Sequence, residues 1–444
     1  MTAFGAYDIR GRLGVDLDAG FAARLGRAFV RHLNASCIVV GRDNRPSSPQ
    51  LAQAIMTAAR SEGTEVLDLG LCGTEEMYHA TAHFGASGGI MVTASHNPAD
   101  YNGMKLVGAG AAPLDSLEPI RALMDMAPSG RSAPCRDVAA EARAAWVRTV
   151  LGFVDRRALC PLTVLVNAGH GAAGPSFDAL AAGLEGTGLR FLRHHHDPDG
   201  TFPQGIPNPL LPENRDATAR AVRATGADLG VAWDGDFDRC FLFDGTGAFV
   251  DGEYVVGLLA EAFLAKEPGA TIVHDPRVIW NTRDVVAQAG GRAVASRTGH
   301  AFLKRTMRDT GAVYGGEMSA HHYFRDFHCC DSGMIPWLLV AEVMGRTGQS
   351  LADLVAARRA AFPSSGEINF RIDDVPAAIA RVQAAFDGVP DDLDGLSLDM
   401  GDWRFNLRAS NTEPLLRLNV EARGDAALVA RQMAVLRARI CPKG

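Results

Sequence analysis

Three stretches of the sequence carry the same pattern, strand–helix–strand–helix–strand, and nothing else in the chain restricts its fold as much. The first runs through CIVVG (37–41), a helix around 48–60, EVLDLG (65–70), a helix near 74–84 and GGIMVTAS (88–95). The second has PLTVLVNA (161–168), a helix from about 174, LRFLRH (189–194), a helix near 213–225 and LGVAWD (229–234). The third has TIVHD (271–275), a helix near 280–289, GRAVAS (291–296), a helix near 300–310 and VYGGE (313–317). Short apolar strands alternating with amphipathic helices predict a parallel or mixed sheet covered by helices. Here that unit is built three times, without sequence identity between the copies.

The last stretch, 361–444, alternates the strands EINFRI, WRFNLRAS and LLRLNVEA with two helices, as a small α+β domain would. A chain of 444 residues is too long for one core, because cores stop growing near roughly 250–300 residues. Four domains are therefore expected, at 1–145, 146–248, 249–360 and 361–444. In each α/β segment the third strand ends on an unusual polar loop: TASHNP, DGDFDR and GEMSAH. The last domain offers RASNTEP (408–414) at a strand end. Ligands of open α/β sheets sit beyond the carboxyl ends of the strands, so the loops are expected to line one central cleft.

Composition narrows the function. A net charge of −7 disfavours a nucleic-acid binder. There is no apolar leader at the start and no run of 18 apolar residues, which predicts a cytoplasmic protein with no membrane contact. Eight scattered cysteines without a C-x-x-C spacing suggest reduced thiols. Only four residues are lysine, so Lys105 in NGMK stands out.

In DGDFDR, Asp234, Asp236 and Asp238 alternate, and in extended backbone they would face one side. Three such carboxylates call for a cation, and oxygen-only ligands favour Mg²⁺ or Ca²⁺. A calcium loop would need Gly at its sixth position and Glu at its twelfth; Arg239 and Gly245 stand there. Magnesium with a phosphate fits better, with Arg239 to meet the phosphate. Glu317, Ser319 and His321 repeat the period of two and suit sugar hydroxyls. Arg408, Ser410, Asn411, Thr412 and Arg417 would make a phosphate cradle. The loop NAGHGAAGPS (167–176) lacks the dinucleotide-binding register and reads as helix–strand packing. The run His194-His195-His196 reads as a polar strand exit rather than a ligand set.

TASHNP, DGDFDR, GEMSAH and RASNTEP, in that order from AYDIRG (6–11) onward, resemble the α-D-phosphohexomutase superfamily. GEMSAHHYFRDF and SNTEP are similar to its phosphomannomutase and phosphomannomutase/phosphoglucomutase branch. The resemblance implies that Ser95 carries a phosphoryl group and that Mg²⁺ is held by Ser95, Asp234, Asp236 and Asp238. It implies Arg239 at the transferring phosphate, and Lys105 or His96 as proton carriers. Glu317, Ser319 and His321 would hold the sugar, and the 408–417 cradle the phosphate that is not reacting. Tyr7, Arg10 and His300 would line the cleft. Two positions depart from the family pattern: Phe237 and Ala320 stand where many relatives have glycine. The implied activity is interconversion of mannose 6-phosphate and mannose 1-phosphate through a hexose 1,6-bisphosphate, which also serves as activator, with GDP-mannose synthesis as its outlet. The alternatives are a glucose-preferring or dual-specificity mutase, a metal-dependent sugar phosphatase, and a non-catalytic sugar-phosphate binder. The expected partners are small-molecule hexose phosphates, the chain itself being a monomer or weak homo-oligomer.

Overall fold

A computed structural model of the chain describes residues 3–5, 7–388, 390–409 and 415–441. Its contacts divide it into two compact units, Met1–Phe249 with Ala320–Gly348, and Val250–Ser319 with Gln349–Gly444. Among the described residues no helix is long and apolar enough to cross a membrane.

The first unit contains two sheets built as the sequence pattern predicts, both of them mixed. In one, the strands run Asp8–Arg12, Tyr101–Gly108, Gly88–Val92, Cys37–Arg42, Glu65–Leu71 and Cys135–Asp137. The last four are mutually parallel, whereas Tyr101–Gly108 runs antiparallel to both its neighbours. That reversed strand, not assigned from the sequence, carries Lys105. In the other sheet Arg190–His194, Thr163–Asn167 and Leu229–Trp233 are parallel, and Cys240–Asp244 returns antiparallel. Gly88–Val92 and Leu229–Trp233 are buried along their whole length, which explains why both read as unbroken apolar runs. The unit also holds the pair His322–Phe324 and Cys330–Asp331 and the helix Ile335–Thr347.

In the second unit Arg292–Ala295, Thr271–His274 and Tyr314–Gly316 are parallel. The C-terminal strands form an antiparallel sheet ordered Ile368–Arg371, Leu415–Ala422, Trp403–Ala409, Leu396–Asp399. Helices Val375–Gln383 and Ala426–Ile440 contribute Val382, Leu436 and Ile440 to the same core. The helix expected from 213 begins at Asp216, after a 3₁₀ turn at Pro212–Asn214.

One helix end ties the first unit together. Thr74–His83 starts with two buried glutamates. Glu76 accepts from the Gly73 N–H at 2.9 Å, from Ser176 at 2.7 Å and from Arg143 at 2.9 Å. Glu75 accepts from Trp146 Nε1 at 2.9 Å and from the backbone N–H groups of Gly333 and Met334 at 2.6 and 3.2 Å. Burial outweighs these donors and lifts the Glu75 carboxyl from 4.5 to about 8. A raised folded-state value means that the proton is held more tightly folded than unfolded, so its stabilisation is complete below 4.5 and is lost as pH rises through 8. Glu75→Gln has no such proton to lose. Between pH 5 and 9 the stability of the wild type relative to this variant should fall steadily in urea unfolding. A flat difference would mean that Glu75 is ionised throughout.

Candidate active site

Ser95 lies just beyond the strand Gly88–Val92, buried, with its backbone in the left-handed region at φ 51°. Its N–H donates to Thr93 Oγ1 at 2.8 Å. Its Oγ donates to Asp234 Oδ2 at 2.9 Å and lies 3.0 Å from His96 Nδ1.

The loop holding Ser95 is organised by a residue that the sequence did not single out. The Arg45 guanidinium donates to four backbone carbonyls: Ser95 at 3.0 Å, Asn97 at 2.6 Å, Pro98 at 2.8 Å and Tyr101 at 3.0 Å. Its charge is met by Asp43 at 3.4 Å, with both side chains buried. A short polar run after a strand is the only local sign of this role, because the partners lie about 50 residues away in sequence.

Asp234, Asp236 and Asp238 do converge, but not by strand alternation. Residues 234–239 form a turn between Leu229–Trp233 and Cys240–Asp244, with Phe237 in the left-handed region at φ 45°. For a bulky residue that conformation costs about 1–2 kcal/mol. The fully buried Phe237 ring offsets it, packed 6.4 Å from Trp146 and directly over Gly73, where a Cβ would come within 2.1 Å of the ring. The same contact brings the N-terminus of Thr74–His83 to the turn. Thr74 N–H donates to the Asp236 carbonyl at 3.1 Å, and its hydroxyl to Asp236 Oδ2 at 2.5 Å.

Two cations face the carboxylates. Lys105 Nζ reaches Asp236 Oδ2 at 2.7 Å and also binds Asp238 Oδ2. Burial opposes its charge, but Asp236 and Asp238 outweigh this and raise its pKa, so it holds its proton. Arg239 donates to Asp234 Oδ2 at 2.9 Å and to His96 Nδ1. Desolvation also resists the Asp234 charge, yet the Arg239 charge outweighs it and pulls its pKa well below the carboxylate range. Desolvation and the Arg239 charge lower His96 to about 3. With Nδ1 accepting from Arg239, its neutral ring carries the hydrogen on Nε2. Burial and the Asp236 charge push Asp238 up to about 6.

The donor set fits a hard divalent cation. One carboxylate oxygen from each aspartate lies within 4.8 Å of the others. The Oδ1 atoms of Asp234, Asp236 and Asp238 are all buried without a hydrogen bond, which is costly unless a cation takes them up. His321 stands beside them, 3.0 Å from Asp331 Oδ2 and 3.9 Å from Asp238 Oδ1. Its pKa is raised: burial opposes the charge, and Asp238 and Asp331 outweigh it. Arg10, on Asp8–Arg12, bonds Asp8 at 2.7 Å and Asn97 of the serine loop. Tyr7 precedes that strand, half-buried.

The second unit carries its own polar cluster. Glu317 follows Tyr314–Gly316 and accepts from the Gly299 N–H at 3.0 Å, one residue before His300 opens the helix His300–Thr310. Ser319 Oγ accepts from Arg277 at 3.1 Å. Residues 317–321 turn rather than run extended, with Ala320 left-handed at φ 70°. Arg408 and Arg417 are cross-strand partners. Glu367 lies 3.5 Å from Arg408, 3.3 Å from Arg417 and 3.2 Å from Arg277. Burial and the neighbouring Arg277 charge both lower the Arg408 pKa. Arg277 and Glu367 were not legible in the sequence. Ser410, Asn411 and Thr412 lie outside the described residues.

Comparison with known proteins agrees with this architecture. Profiles described as phosphoglucomutase/phosphomannomutase alpha/beta/alpha domains I, II and III match residues 1–127, 145–247 and 251–362, and the C-terminal domain of the same family matches 367–439. A protein named phosphomannomutase from Salmonella montevideo is 55% identical, with 98% of each chain covered. Its namesake from Escherichia coli K12 is 52% identical over the same share. One named phosphohexose mutases, from Xanthomonas campestris pv. campestris, is 56% identical, with 97% of each covered. A phosphoglucomutase/phosphomannomutase family protein from Burkholderia thailandensis superposes with a TM-score of 0.86 at 32% identity, covering 100% of this chain and 98% of its own. The fold is therefore that of the phosphohexomutases, which are isomerases. The chain belongs to the phosphoglucomutase/phosphomannomutase family, on the side of the relatives named phosphomannomutase.

Arg45→Met would leave Asp43 buried without its counter-charge and four loop carbonyls without their donor. A loss of about 3–5 kcal/mol in urea unfolding is expected, with kcat reduced more than KM because the serine loop is what loosens. Wild-type stability would mean that the carbonyls find water instead.

Proposed function

We propose that this enzyme interconverts mannose 6-phosphate and mannose 1-phosphate, with Ser95 carrying a phosphoryl group and a hexose 1,6-bisphosphate as intermediate and activator. The observation that carries this reading is the Ser95 hydroxyl, buried at a strand end and bonded at 2.9 Å to the first aspartate of a three-carboxylate cluster. Asp234, Asp236, Asp238 and phosphorylated Ser95 would hold Mg²⁺, which neutralises charge on the phosphoryl group.

This chain's residues divide the remaining work. Arg45 and Thr93 hold the serine loop in position. Arg239 and Lys105 supply fixed positive charge beside the transferring group, where positioning and charge neutralisation dominate catalysis. Lys105, with its raised pKa, suits donating hydrogen bonds better than accepting a proton. His96 is neutral, and His321, steadied by Asp331, is available to sugar hydroxyls. Tyr7, Arg10 and His300 would line the site. Glu317 and Ser319 would hold the sugar ring, and Arg408 and Arg417, with Ser410, Asn411 and Thr412, the non-reacting phosphate. Such a cradle favours a mutase over a phosphatase, which has no use for a second phosphate. A supply of mannose 1-phosphate to GDP-mannose synthesis follows from this activity.

The test is ³¹P NMR of the protein with Mg²⁺, a trace of hexose 1,6-bisphosphate and mannose 1-phosphate, with glucose 1-phosphate in parallel. The relative named phosphohexose mutases motivates the second sugar. Formation of mannose 6-phosphate, abolished by Ser95→Ala and by EDTA, is expected. Inorganic phosphate as the main product would make the protein a phosphatase instead. Arg408→Ala should raise KM about tenfold or more for both isomers, the worth of a charged hydrogen bond. Unchanged kinetics would remove Arg408 from the cradle.

A further inference from the structure

The three aspartates share a pattern that their own turn does not explain. In each, one carboxylate oxygen is taken by protein donors and the other is not. Asp234 Oδ2 accepts from Ser95 at 2.9 Å and from Arg239 at 2.9 Å. Asp238 Oδ2 accepts from Lys105. Asp236 Oδ2 accepts from Lys105 at 2.7 Å and from the Thr74 hydroxyl at 2.5 Å. The Oδ1 atoms, buried and without a hydrogen bond, are the ones left over for an ion.

Ser95, Lys105 and Arg239 already have a place beside the transferring group; Thr74 does not. It is buried and opens the helix Thr74–His83. A threonine at a helix start ordinarily serves as the cap, with its hydroxyl on an N–H of the first turn. Here Gly73 occupies the cap position, and its N–H is met by Glu76 at 2.9 Å. The Thr74 hydroxyl turns away from its own helix, to Asp236.

That grip is made at two points. Thr74 N–H donates to the Asp236 carbonyl at 3.1 Å while its hydroxyl holds the carboxylate. The β-branched side chain is stiff at χ1, and the helix end behind it is anchored. Glu76 accepts from Ser176 at 2.7 Å, on the helix Ala173–Ala182, which follows the strand Thr163–Asn167 of the aspartate-bearing sheet. The Phe237 ring lies against Gly73. Lys105 cannot do the same. Its ammonium is a point charge on a flexible stem, divided between Asp236 and Asp238. It balances both carboxylates without setting the plane of either.

We propose, resting on the assignment of Asp234, Asp236 and Asp238 as metal ligands, that Thr74 is a positioning residue for the cation: it turns the Asp236 carboxylate so that Oδ1 is the oxygen offered to the ion. Groups that hydrogen-bond a ligating carboxylate set its orientation, and their loss weakens metal binding about 10–100-fold.

The probe is Mn²⁺, which carboxylate sites accept in place of Mg²⁺. It is added to the full chain and followed by the electron paramagnetic resonance signal of the free ion, with Mg²⁺ as competitor. Thr74→Val keeps the shape and removes the donor, and should weaken Mn²⁺ binding about tenfold or more. Thr74→Ser keeps the hydroxyl and should bind as the wild type does. Wild-type affinity in Thr74→Val, with binding abolished in Asp236→Asn, would overturn this role of Thr74 and leave the aspartates as ligands. A loss of about tenfold in Thr74→Ser would overturn it as well, whether or not the valine variant folds. Failure of the wild type to bind Mn²⁺, or binding that survives Asp236→Asn, would instead remove the aspartates as the metal site and the role of Thr74 with them.

Discussion

Three carboxylates held together out of water repel one another, and much of the first unit is arranged around that fact. Like charges in a medium of low polarity raise each other's cost steeply, and Asp238, pushed up to about 6, bears the residue of it. Lys105, from a strand of the other sheet, and Arg239, from the end of the aspartate turn itself, relieve the rest. The reversed direction of Tyr101–Gly108 brings the Lys105 ammonium to Asp236 and Asp238. Asp236 also meets the positive end of Thr74–His83. The three oxygens left without a donor are those that a compact cation would take up.

Backbone strain gathers at the same places. Ser95, Phe237 and Ala320 are all left-handed without being glycine. Ser95 needs that turn to bring its hydroxyl from a buried strand onto Asp234. At Phe237 and Ala320 a glycine would adopt the conformation freely. Phe237 instead packs its ring into the interior, exchanging a relaxed turn for one fixed by burial. The aspartates thus sit on a loop that is strained locally and rigid by packing, which suits a site whose atoms must be placed to within a fraction of an ångström.

Local pattern carried the strands and most helices into the sequence reading, because apolar periodicity is a property of neighbours in the chain. The loops at the strand ends were legible for the same reason: TASHNP and DGDFDR are polar where their strands are not. The convergence of the aspartates was foreseen, but its cause was not, since period two belongs to extended backbone and the residues lie in a turn. Arg45, Glu75 and Glu367 escaped notice because their partners lie far along the chain. The strand carrying Lys105 was hidden by glycines that interrupt its apolar run. The left-handed backbone at His195 was not legible, because nothing in a sequence announces a left-handed histidine.

Glu367 bears on how the second unit would meet the phosphate proposed for it. Three guanidiniums, those of Arg277, Arg408 and Arg417, surround this one carboxylate, leaving an excess of two positive charges. A phosphate monoester near neutral pH carries close to two negative charges. On the proposed assignment of Arg408 and Arg417 to a phosphate, that excess would be balanced by a dianion: a carboxylate ligand would leave it half neutralised, a bisphosphate terminus would level it. Because Glu367 already pairs with all three arginines, an arriving phosphate would meet a formed cage and not a set of cations that must first be gathered against their own repulsion.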